Sequence, residues 1–130
     1  MTRRPVMVGL ALVAWLALGT TRRLAAQGTV SKVVVAPDPS AFGGLCPAEI
    51  TFHGVIVVSE PPVTVEYRWE RSDGVVGPRQ KVRIAGSRLD VTDSWKLGES
   101  GNRLRVWETL HVFMPNAMTS RPVPVLIECA

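Results

Sequence analysis

The sequence predicts an all-β fold, a two-layered antiparallel β-sandwich of about seven strands, and three observations lead there. Residues 63–70 alternate without a break, Val63, Val65, Tyr67 and Trp69 on one phase and Thr64, Glu66, Arg68 and Glu70 on the other, the signature of a half-buried strand. No sustained helical period follows the apolar run near the N-terminus. Ten prolines and eleven glycines fit short strands joined by turns.

The N-terminal segment is read separately. Arg3 and Arg4 precede an apolar run from Val6 to Leu18, too short to span a bilayer but matched to the apolar region of an export signal. Cleavage fits either after Gly19, with Ala17 and Gly19 as the small residues the peptidase inspects, or around Ala26 to Gly28. Residues 1–27 are therefore read as signal peptide and linker, and residues 28–130 as one domain, secreted or periplasmic, with no membrane span after cleavage. Arg3-Arg4 lacks the flanking pattern of a twin-arginine signal, and Pro5 follows it.

Charge follows the same division. The chain carries +4, but Arg3, Arg4, Arg22 and Arg23 all precede residue 27. Without them eleven basic residues face eleven acidic ones, which gives no support to a nucleic-acid partner.

Strand one is read over Thr29 to Val35, stopped by Pro37, Pro39 and Gly43-Gly44. Strand two covers Cys46 to Val58, with Cys46, Ala48, Ile50 and Phe52 inward. Gly54 interrupts its alternation and suggests a bulge or a close backbone approach. Strand three, Val63 to Glu70, ends at the turn-forming Ser72-Asp73-Gly74. Further strands fit Gln80 to Ile84, Leu89 to Trp95, Leu104 to Met114 and Val123 to Cys129.

An even cysteine count in an exported chain points to a disulfide, here Cys46 to Cys129. With seven strands alternating in direction, the start of the second and the end of the seventh lie at one end of the sandwich, so the two residues can meet. The bridge closes a loop of about 84 residues, for which chain entropy gives roughly 4.5 kcal/mol.

"CPAEITFHGVI" at 46–56, "VEYRWERSDG" at 65–74, "WKLGESG" at 95–101, "WETLHVFMPN" at 107–116 and the terminal "LIEC" resemble small secreted bacterial proteins with an immunoglobulin-like module. The resemblance covers about the last 85 residues. It implies an extracellular immunoglobulin-like β-sandwich and brings no activity with it. Antibody domains differ: their first cysteine lies mid-strand and bridges to the sixth strand, whereas the partner here stands in the last, and Trp69 comes 23 residues after Cys46. No antibody-type recognition loops carry over.

Enzyme readings want for parts. His53 and His111 fall at polar-phase strand positions with no nucleophile elbow nearby, the carboxylates are scattered, and no glycine loop cradles phosphate. Asp90 and Asp93 lack the dense oxygen array and bend glycine of a calcium loop. No cofactor is expected. The leading expectation is a non-enzymatic interaction or structural module that meets a protein or glycan of the envelope through the outer faces of strands three and six: Glu66, Arg68, Arg105, Trp107, His111 and Phe113. Aromatics framed by Arg and Glu have the composition of a contact surface. A competing reading takes Glu108, on the buried phase, as the sign of a bulge that swaps the alternation and puts Trp107 in the core. Two other functions stay open: a small periplasmic copper binder using His111, Met114 and Met118, and an inhibitor of a secreted enzyme acting through loops at one end of the sandwich.

Overall fold

The computed structural model describes residues 2–3 and 28–130, and the export segment read over 1–27 otherwise lies outside the described residues. Among the described residues ten strands form an immunoglobulin-like sandwich: β1 Val30–Asp38, β2 Ala41–Gly44, β3 Ala48–Val58, β4 Val63–Arg71, β5 Gln80–Ile84, β6 Arg88–Leu97, β7 Arg103–Val106, β8 Glu108–Met114, β9 Met118–Thr119 and β10 Val125–Cys129. One layer orders as β1-β3-β6; the other comprises β5-β4-β8-β9 and β2-β10-β7, linked because β7 runs into β8 across Trp107 alone.

Alternation sorts the side chains as a pleated strand requires. Ile50, Phe52 and Ile56 from β3 meet Val65, Tyr67 and Trp69 from β4 and Leu110 and Val112 from β8, all buried. At about 25 cal/mol per Å2 of apolar surface removed from water, this interlayer packing is the main term favouring the fold.

Gly54 corrects the expectation of an interrupted strand. Its pairing with Val35 on one side and Val91 on the other is in regular register, and it occupies an inward position in an unbroken alternation. The close approach is real: a Cβ there would stand 2.8 Å from Leu110 Cδ2 and 3.0 Å from Trp69 Cη2. Glycine lets the opposite layer settle against the β3 backbone.

The strand count also differs from seven. β1 continues through Pro37 to pair with Phe52 and Asp38 with Thr51, because it is an edge strand, where a proline's missing N–H need not cost a ladder bond. β2, read as glycine punctuation, pairs parallel with β10, so the sandwich is antiparallel except at this edge. Strand six divides at Trp107, whose N–H donates to Ser72 Oγ at 3.2 Å while its carbonyl accepts from Ser72 N at 2.9 Å. The last strand starts at Val125, leaving Val123 exposed.

Cys46 and Cys129 are joined, their Cα atoms 5.4 Å apart. Cys129 ends β10, while Cys46 lies just before β3. Gly98 packs against the bridge at φ +97°, where a Cβ would stand 2.8 Å from Cys129 Sγ and 3.0 Å from Cys46 Sγ. Both the backbone conformation and the lack of room call for glycine.

Candidate functional site

The outer face of β4 and β8 brings together most of the residues the sequence singles out. The strands pair antiparallel with Arg68 opposite His111 and Glu70 opposite Thr109, so outward side chains from the two strands lie side by side. Arg68 donates to Glu70 Oε2 from Nε at 3.0 Å and from Nη2 at 2.7 Å. His111 Nδ1 lies 3.0 Å from Glu70 Oε1, so both carboxylate oxygens are engaged. Burial by itself would raise the Glu70 carboxyl, but the hydrogen bonds from Arg68 and His111 outweigh it and hold the group below its ordinary value.

Phe113 is the centre of this face. His111 stacks on it at 4.0 Å between centroids. The guanidinium of Arg79 lies 3.8 Å from the ring centroid and that of Arg68 at 5.2 Å. Arg79, from the loop before β5, also pairs with Glu66 at 3.2 Å. Two cations over one ring, each tied to a carboxylate, hold the side chains in defined positions.

Trp107 and Arg105 extend the row toward the β7 end. Trp107 is partly exposed and stays on the outward phase, and Arg105 is exposed. The expected swap of alternation at Glu108 does not occur: β8 reads buried at Glu108, Leu110 and Val112 and partly exposed at Thr109, His111 and Phe113. The suggested copper ligands are not assembled. His111 faces outward, whereas Met118 lies opposite Val112 on β9 and packs against the core, and Met114 sits exposed on the inward phase at the end of β8. Among the described residues no three His, Cys, Asp or Glu side chains group to hold a metal ion.

A second constellation lies between the layers and escaped the sequence reading. Arg71, at the end of the inward phase of β4, stands opposite Glu108 of β8. Its Nε is 3.6 Å from Glu108 Oε1, its Nη2 is 3.7 Å from Asp93 Oδ2 of β6, and Nη2 donates to the Ser94 carbonyl at 3.3 Å. The guanidinium rests 4.9 Å from the Trp95 ring centroid. Glu108 is 0% exposed, and neither of its carboxyl oxygens has a hydrogen-bond partner among the described residues. Burial, reinforced by the Asp93 carboxyl and only partly opposed by Arg71, pushes Glu108 up to about 8. The available signal was three charged residues on the inward phases of three strands: Arg71 after Trp69, Asp93 before Trp95, and Glu108 before Leu110.

No protein-family description matches the chain, and no curated protein does. Among solved structures, the CARDB domain of a Pyrococcus furiosus protein, described in complex with di-metal ions, superposes with a TM-score of 0.54 at 11% identity, covering 78% of this chain and 96% of that one. The likeness supports the immunoglobulin-like sandwich and is a likeness of fold alone.

Proposed function

We propose that this protein is an exported, non-enzymatic interaction module that recognises a protein or glycan of the cell envelope through the outer face of β4 and β8. The observation that carries the reading is the pre-ordered cluster on Phe113, with Arg68 and Arg79 over the ring and Glu66 and Glu70 holding them. Arginine and aromatic side chains contribute most of the affinity at protein contacts, and groups already ordered before contact lose less entropy on binding. A disulfide across 83 residues fits maturation in an oxidising compartment.

The test is capture from the native envelope fraction with the wild-type protein and with the Arg68→Ala/Phe113→Ala double variant, followed by affinity measurement on what is captured. Loss of a central anchor of this kind weakens binding about 30-fold or more. A partner held equally by both proteins places recognition elsewhere on the molecule, and turnover of an envelope component overturns the non-enzymatic reading.

A further inference from the structure

A cavity of about 400 Å3 opens between the layers beside β6, closed on one side by the loop between β4 and β5. Its walls are Tyr67 and Trp69 from β4, Val91 from β6, and Val75 and Pro78 from the loop. Asp93 and Glu108 enter it from opposite layers, with Arg71 alongside. The size is that of a small-molecule site.

The polar end of this cavity is short of hydrogen-bond partners. Two carboxyl groups meet one guanidinium, and that guanidinium stands 3.6 and 3.7 Å from them, too far for good hydrogen bonds. Its donated bond goes to the Ser94 carbonyl instead. Glu108 is thus fully buried with both oxygens unpartnered among the described residues, an arrangement that costs free energy until a donor arrives. Asp93, with its side chain 34% exposed, is the more accessible of the two and stands where an entering group would arrive first.

We infer that this cavity binds a primary ammonium on an aliphatic stem, the ammonium received by Asp93 and Glu108 and the stem lying against Trp69, Val91 and Pro78. An ammonium supplies three donors from one compact atom, which suits two converging carboxyls where a second planar guanidinium would crowd Arg71. The aromatic wall attracts a cation through the ring quadrupole and an apolar stem through the surface removed from water. The same chemistry occurs in a free alkylamine and in a lysine side chain of a polypeptide. The site lies on the opposite side of β4 and β8 from the Phe113 cluster, so the two readings stand or fall separately.

Binding also drives a proton off Glu108 to solvent, since the buried carboxyl holds its proton near neutrality and an adjacent cation favours the ionised form. The other titratable and charged groups facing it are Arg71 and Tyr67 from β4 and Asp93 from β6. Affinity therefore rises with pH toward about 8.

The test is NMR titration of the disulfide-closed protein with n-butylammonium, with Nα-acetyl-lysine amide, with its Nε-acetylated uncharged form, and with a short lysine-containing peptide. Saturable shifts at the Trp69 indole and the Gly77 and Thr92 amides are expected with the charged probes and not with the Nε-acetylated one. Response to the peptide and not to n-butylammonium assigns the source to polypeptide lysine. Asp93→Asn and Glu108→Gln are expected to weaken binding about tenfold or more, while Phe113→Ala leaves it unchanged. Absence of saturable shifts in the wild-type protein overturns the assignment whatever the variants do, as does equal response to the uncharged probe.

Discussion

Glu108 shows how far a fold can move the titration of one carboxyl. In the unfolded chain its carboxyl ionises near the ordinary value of 4.5, whereas in the fold it holds its proton to about 8. Between those values the native state binds the extra proton, so this residue's contribution to stability is intact below about 4.5 and declines as pH rises to about 8. Glu108→Gln keeps the shape and cannot ionise. It is expected to exceed the wild type at pH 9 by about 2 kcal/mol and to lose that advantage toward pH 5. Urea unfolding of both proteins across this range checks the sign; an advantage that grows toward acid contradicts it. Glu70 is the opposite case, with its carboxyl held low by Arg68 and His111, so its contribution is lost on the acid side.

Element by element, the periodic strands were the most legible. β4 and β5 match the sequence reading within a residue, because a long alternation with one wet face admits only one register. The misses share a cause. β2 and β9 are too short for a pattern and exist through backbone pairing with β10 and β8, and the break at Trp107 is set by its two hydrogen bonds to Ser72 in the turn after β4. Gly54 has the same origin: whether it marked a bulge or a contact depended on Leu110 and Trp69 reaching it across the layers. Gly54→Ala is expected to force those side chains aside and to cost about 1–3 kcal/mol, as overpacking of a filled core does. The midpoint of chemical denaturation reads this directly, and an unchanged midpoint means that the layers separate there at no cost.

For the whole molecule the bridge between Cys46 and Cys129 is the largest single constraint on the chain. It joins the entry of β3 to the end of β10, in different layers. Closing so long a loop removes roughly 4.5 kcal/mol of unfolded-state entropy, an amount comparable with the net stability of a domain of this size. Reduction, or Cys46→Ala with Cys129→Ala, is expected to lower unfolding free energy by about that much and to leave the denatured baseline more expanded. Unfolding curves with and without reductant measure it, and coincidence of the two curves contradicts it.

The two-layered β architecture, the inward and outward assignment of nearly every long strand, the pairing of the cysteines and the row of residues on the outer face were legible before any coordinates. Each of these is written in near-neighbour periodicity or in a count of two. Long-range pairing brought Arg79 to Phe113, settled Trp107 on the outward side against the competing swap, and made Arg71, Asp93 and Glu108 converge between the layers. Those residues come from separate strands and loops, and their meeting depends on which strands pair and how the layers face, which no local pattern encodes. The charges on inward phases were visible as exceptions; what they did with one another required the fold.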